Sequence, residues 1–413
     1  MGILRIAHVC GFAWEPKGTV RFRAFPLAAA LVAAGHEVTM FLPPYDNPTH
    51  SGRKFQREGV FVENVRVGRA PGLRHAAACN ALLRKIIRYA PDVVHVFKPK
   101  GYAGAVLTYF LSRGWRHVVL DCDDWEGWGG WNDVKHYPRF VKEFIDLQEK
   151  FLIRHAPVVT VASRVLQSRA IELRGSADEV LYLPNSGASS EGRAIRSHVL
   201  AANKSDISRS FQLPSGPLLL YSGHFESGDD GMFFSRAAAH AARKTGATIL
   251  IVGDGPELGR VKDFFSSQPE VRVRFFDRLP YERFLSLIAI ADVAAYPYPD
   301  DAIHRAKCSA RIIDYMAMGC AVVTTAIGQN SEYIEHGQRG ILVPAGEPEQ
   351  FTSALVKVLQ DSKLRSFLGE NAKRHVEESL WSGAASLEVC LAAYRAAGTR
   401  GRSLDMSAPR DTA

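Results

Sequence analysis

The chain has 413 residues, 46% hydrophobic and 23% charged, with a formal net charge of +8 at pH 7. That size suits two or three domains with real cores, and the positive balance fits a partner carrying phosphate: nucleotide, nucleic acid or anionic membrane. Several classes are disfavoured. No Lys/Arg run interleaved with aromatics marks a single-strand binder. The six cysteines form no CxxC pair, which makes zinc and redox chemistry poor readings and a reduced, cytoplasmic setting the simplest. No apolar run reaches the roughly 18 residues of a membrane span.

In chain order, Leu4–Val9 reads as a first strand, too short for a signal peptide. A glycine-bearing loop follows, then an Ala/Leu helix over Ala24–Ala34 stopped by Gly35, then a strand over Glu37–Leu42. Such a βαβ opening implies a parallel sheet with ligands at the C-terminal ends of its strands. Val93–Phe97, Val118–Cys122, Val158–Ala162 and Val180–Leu183 continue the sheet, and Pro138–His155 reads as a long helix. Residues 184–215 are polar, rich in Ser and Gly, and read as hinge and linker. A second alternating series then begins, with strands at Leu218–Ser222, Thr248–Gly253, Val271–Phe276, Asp292–Tyr296 and Ala321–Thr325. A last helix is expected over about Trp381–Ala397, and 398–413 reads as a disordered tail.

The stretch from His304 to Pro344 concentrates the chemistry. Ser309 can cap a helix. Ile312, Ile313, Met316 and Ala317 share one face, with Arg311 and Asp314 on another, and Gly319 ends the helix. A helix start with a cation in its first turn is a natural anion site; an ordinary surface helix with an Arg–Asp pair fits the spacing equally.

Four stretches together resemble a GT-B glycosyltransferase of the retaining, family-four type. They are Gly18 ahead of a helix ending in Ala34-Gly35-His36-Glu37-Val38, Pro184-Asn185-Ser186-Gly187, Ile251-Val252-Gly253-Asp254-Gly255-Pro256-Glu257, and Asp314-Tyr315-Met316-Ala317-Met318-Gly319. The resemblance implies two Rossmann-like, doubly wound α/β domains facing a cleft. Residues 1–185 would bind the acceptor, 186–215 would be hinge and linker, 216–380 would bind the nucleotide sugar, and 381–397 would return to the first domain. It also implies a nucleotide-diphosphate sugar as donor, with no required metal or cofactor and no nucleic-acid partner.

On this resemblance Arg311 and the amides of Ser309 and Ala310 serve the departing diphosphate, with Lys307 and Cys308 beside them, and Asp314 accepts the donor ribose hydroxyls. Gly18 and Thr19 approach the donor, while Gly223, Gly253, Gly255, Arg278 and Leu279 frame the nucleotide. His95, where family members often carry His, His224 and Arg311 are the catalytic candidates. Lys98, Lys100, Asp123, Asp124 and Trp125 are the acceptor candidates. Arg21 and Arg23 either steer an anionic acceptor or begin a solvated helix. The clustered acids could also suit Mg²⁺, although the resemblance argues against a required metal. Two departures stand out: Ala306 takes the place of the family's first acid, and His224 followed by acids replaces its usual Arg/Lys phosphate pair. The expected activity is therefore transfer of a sugar, with retention, to a glycan or lipid-linked acceptor in cell-surface polysaccharide or glycolipid synthesis. An impaired nucleotide-sugar-binding protein and a GT-B epimerase are the alternatives. Peripheral contact with an anionic inner membrane leaflet is a further expectation, through the amphipathic stretch around Arg69, Arg74, Arg84, Lys85 and Arg88, for which a core-packed helix with a solvated face is the alternative.

Overall fold

Short β-branched runs build two sheets in a computed structural model that describes residues 2–15, 18–67, 74–185, 189–225, 230–378 and 383–399. The chain divides into two units, Met1–Ser190 with Ala306–Cys308 and Gly383–Ala413, and Glu191–Arg305 with Ser309–Ser382. In the first unit the strands are β1 (Arg5–Val9), β2 (Glu37–Leu42), β3 (Lys54–Arg57), β4 (Val60–Asn64), β5 (Val93–Phe97), β6 (Val118–Cys122), β7 (Val158–Val161) and β8 (Val180–Tyr182). They lie in the order β3-β4-β2-β1-β5-β6-β7-β8, and only β3 runs antiparallel to its neighbour. The second unit has β9 (Leu218–His224), β10 (Thr248–Asp254), β11 (Val273–Phe276), β12 (Val293–Tyr296), β13 (Ala321–Thr325) and β14 (Ile341–Val343). Their order is β11-β10-β9-β12-β13-β14, all parallel. In both sheets the winding direction reverses beside the first strand, where doubly wound folds open a crevice above the strand ends.

Two segments differ from the sequence reading. The β3–β4 hairpin lies in a stretch given no strand. β3 is a charged, half-exposed edge, and its turn depends on positive φ at Glu58 and Gly59 rather than on an apolar run. The stretch read as linker contains two helices, Ser190–Ala201 and Lys204–Ser210, the second capped by the Asn203 side chain. Val199, Ile207 and Phe211 are their buried anchors, and so few apolar residues leave little periodicity to read.

The helix Gly383–Thr399 belongs to the first unit, where it packs against the helix Phe25–Ala33 and β6–β8, and Cys390, Ala393, Tyr394 and Ala397 join the core. The Tyr394 hydroxyl lies 3.2 Å from His8 Nε2 and 3.1 Å from His95 Nδ1. The helix Arg74–Tyr89 directs Ala78, Leu82 and Ile86 into the core, and Lys85 pairs with Glu63 at 2.9 Å. Leu82 and Ile86 of the stretch expected to meet a membrane are thus spent on the core, while Leu83 and Ile87 are half-buried; Arg69 lies outside the described residues. Among the described residues no helix is long and apolar enough to cross a membrane.

Candidate active site

In the second unit the site is built where β9 and β10 end. Gly253 and Asp254 pair in register with Gly223 and His224. A side chain at Gly253 (φ +149°) would place its Cβ 1.9 Å from the Gly223 carbonyl, and one at Gly255 (φ +136°) would lie 2.2 Å from that of Phe225, so only glycine lets these strand ends close up. His224 Nδ1 lies 2.7 Å from Asp254 Oδ1, and Arg278 Nε lies 3.5 Å from Asp254 Oδ2. The bond from His224, then the charge of Arg278, hold the Asp254 carboxyl below its usual range. The sequence-based candidates Gly223, His224, Gly253, Gly255 and Arg278 thus meet at one strand edge; Leu279 follows, half-buried. Glu226 to Asp229 lie outside the described residues.

The second element is the helix Ala310–Ala317. Ser309 caps it by accepting from Ile312 N–H at 3.3 Å, as the sequence predicts. Arg311, in its first turn, sets its guanidinium 4.8 Å from the centre of the Phe284 ring and meets no carboxylate among the described residues. Asp314 is 6% exposed and its Oδ1 accepts from Arg196 Nη2 and from the Tyr281 hydroxyl, each at 2.9 Å. Sequence reasoning found neither partner. Arg196 was hidden in the supposed linker, and Tyr281 had no motif to mark it. Nor is Asp314 paired with Arg311: the i,i+3 spacing suggested that pair, but each side chain has a different neighbour.

In the first unit the site is the loop after β6. Lys98, directly after β5, takes φ +79°, a conformation costly for a side chain other than glycine. Its ammonium reaches Asp123 Oδ1 at 2.8 Å, Asp124 Oδ2 at 2.6 Å and Glu126 Oε1 at 2.7 Å. Lys100 also binds Glu126. Burial alone would lower the Lys98 pKa, but the three carboxylates overcome it and hold the ammonium charged. Burial acts oppositely on Glu126, and the two lysines overcome it to keep that carboxylate ionised. Asp123, Asp124 and Glu126 stand close enough to ligate a cation; the Lys98 ammonium bridges them instead. The Thr19 hydroxyl donates to Asp123 Oδ2 at 3.0 Å, next to Gly18. The long helix Arg139–His155 pins the loop from behind. Glu149 accepts from the N–H groups of Glu126 and Gly127 at 2.8 and 3.1 Å, and Asp146 from that of Trp128 at 3.0 Å. Trp125 is half-buried, with the Arg169 guanidinium 4.1 Å over its ring, so one face is already taken.

Other candidates are placed apart. His95 is wholly buried in β5, and burial followed by Arg23 pushes its pKa down to about 3, so we assign it no chemical step. Arg23 neither steers a ligand nor faces solvent: it is buried and forks onto both Asp121 oxygens at 2.6 Å. Thr160 donates to the same carboxylate at 2.6 Å. Arg21 pairs with Glu15 at 3.1 Å. Lys307 and Cys308 belong to the first unit, whereas Ser309, Ala310, Arg311 and Asp314 belong to the second. Lys307 lies 5.2 Å over Trp131, and the Asn185 amide donates to the Cys308 carbonyl at 2.5 Å.

Residues 18–186 match a glycosyl transferase 4-like domain, and residues 216–361 match the glycosyl transferases of group 1. The chain is a glycosyltransferase of the family-four type, with the GT-B fold. It is 25% identical over 398 residues to the phosphatidyl-myo-inositol mannosyltransferase of Mycolicibacterium smegmatis, covering 92% of this chain and 91% of that one. A shorter match, 24% over 131 residues, joins it to an uncharacterised glycosyltransferase of Methanocaldococcus jannaschii and spans only 32% of either chain. Among solved structures it is similar to Anabaena HepE in complex with UDP-glucose, with a TM-score of 0.67 and 17% identity, covering 94% of this chain and 99% of that one.

Proposed function

We propose that this enzyme moves a sugar, with retention, from a nucleotide-diphosphate sugar to a glycan or lipid-linked acceptor in the synthesis of cell-surface polysaccharide or glycolipid. The observation that carries the reading is the capped helix at Ala310–Ala317. Its first-turn Arg311 meets no carboxylate among the described residues, and the buried Asp314 lies one turn on. A leaving diphosphate needs positive charge and N–H dipoles aimed at it, and Ser309, Ala310 and Arg311 offer both. Asp314 accepts the ribose hydroxyls, and His224 with Arg278 borders the nucleotide. The second unit thus serves the donor. The first unit serves the acceptor, with Asp123, Asp124 and the Lys98/Lys100 pair orienting its hydroxyls and Gly18 and Thr19 close by. A lipid-linked acceptor implies transient contact with an anionic cytoplasmic leaflet.

The test is a thermal-shift panel of UDP, GDP, ADP and TDP and their sugars, UDP-glucose first because it is the ligand of the Anabaena neighbour, followed by donor turnover with and without acceptor. Slow release of free sugar from the stabilising donor supports the reading. Binding with no turnover would leave only a nucleotide-sugar-binding protein, and conversion of the sugar without acceptor would indicate an epimerase.

A further inference from the structure

The helix Arg139–His155 carries two apolar faces. Ile145, Leu152 and Ile153 are buried on the inner one. On the outer one Phe140, Phe144, Leu147 and Phe151 are 75, 57, 68 and 41% exposed. Their steps of four, three and four residues align them in one ridge along the helix. Tyr137, just ahead of the helix, is 42% exposed and extends it. Single exposed apolar side chains are ordinary on a protein surface, but a ridge of four large ones marks a surface that meets something apolar.

The charges beside the ridge indicate what that partner is. Arg139, Lys150 and Arg154 run along one edge with a single exposed acid, Glu143, which Arg139 already faces at 3.6 Å. Lys150 rests on Asp146 at 2.6 Å. The edge is net positive, as is the whole chain. We propose that this ridge docks the enzyme on an anionic phospholipid bilayer. The helix lies in the interface, with the phenylalanines and Leu147 at the acyl boundary and Arg139, Lys150 and Arg154 among the headgroup phosphates. A second copy is the poorer occupant. Antiparallel pairing that stacks Phe140 on Phe151 of the copy also sets Arg139 beside the copy's Arg154, like charge against like.

The inner face gives the docking a purpose. Asp146 and Glu149 hold the backbone of the acidic loop from the same helix, so the surface that meets lipid is the back of the element that positions the candidate acceptor residues. The inference deepens the proposed use of a lipid-linked acceptor and rests on it for this purpose. The docking itself is read without turnover, so the two can fail separately.

The experiment is co-sedimentation of the full chain with phosphatidylcholine vesicles with and without phosphatidylglycerol, at low and high salt. The parent should pellet with the anionic vesicles and be released by salt. Phe144→Ser with Leu147→Ser should lower partitioning at least about tenfold, since each removes a large apolar group from the interface. Phe367→Ser, at a 46% exposed residue of the other unit, should leave it unchanged. Arg139→Glu with Arg154→Glu should abolish the preference for anionic vesicles. All these positions are exposed, and circular dichroism checks that the variants fold. Equal pelleting with neutral vesicles, or ridge variants that bind like the parent, would overturn the proposal. So would a parent that ignores vesicles but sediments as a dimer that the ridge substitutions dissociate, which would make the ridge an interface between copies.

Discussion

The loops beyond the two sheets handle charge in opposite ways. In the first unit Lys98 is 4% exposed and is enclosed by Asp123, Asp124 and Glu126, while Arg23 and Asp121 are sealed beneath. In the second, the side chains of His224 and Asp254 are 51 and 48% exposed, and Arg311 rests against an aromatic ring. A buried charge must find its partner within the fold, so the first set is fixed before any ligand arrives. An exposed cation is compensated by water until a charged ligand displaces it. The contrast fits the roles proposed above, an acceptor site fixed in advance and a donor site whose Arg311 is left for a ligand.

The strongest way to break this contrast is Lys98→Met, which keeps the length but leaves three carboxylates gathered without their cation. Removing one partner from a buried ionic group costs about 3–5 kcal/mol, so the urea midpoint should fall sharply. Parental stability would show that water, not the ammonium, satisfies the loop. Arg311→Ala should instead leave the fold intact and cut turnover about a hundredfold to a thousandfold, the usual result of losing one donor at a developing anion. Unchanged turnover would place the diphosphate elsewhere. His224→Ala should have a milder effect in the same assay.

Asp314→Ala sharpens the donor side. Loss of a carboxylate acceptor for ribose hydroxyls should weaken nucleotide binding by about 1.5–3 kcal/mol in titration calorimetry. Equal affinities would reduce Asp314 to a tie between Arg196 and Tyr281. A further effect should come from pH. Burial lowers the pKa of His95 to about 3, and burial followed by the neighbouring His95 lowers that of His8. Both rings are neutral in the fold, whereas the unfolded chain takes up protons below about pH 6.5. The unfolded state then binds more protons, so stability falls as pH falls from about 6.5 towards the folded value. The slope is about 1.4 kcal/mol per pH unit for each histidine. Denaturant midpoints at pH 7 and pH 5.5 check it; a flat profile would mean the rings take up protons as readily in the fold as in the unfolded chain.

The sequence by itself determined the two alternating series and the cap at Ser309, and its four motif stretches carried the family resemblance. The series and the cap are local matters of periodicity and capping chemistry. Tertiary structure decided what local pattern cannot encode. Periodicity shows that a helix face is apolar, but not whether anything covers it: Ala78, Leu82 and Ile86 of Arg74–Tyr89 are spent on the core, while the outer apolar face of Arg139–His155 stands open. Residue type marks Lys98, Arg23 and Arg311 alike as cations. Only the packing of distant strands and helices encloses the first with three acids, locks the second onto Asp121 and sets the third against Phe284. Arg196 reaches Asp314 across 118 residues of sequence, from a segment too polar to announce its helix. A charge acquires its role from its partners and its distance from water, and both are fixed by long-range packing.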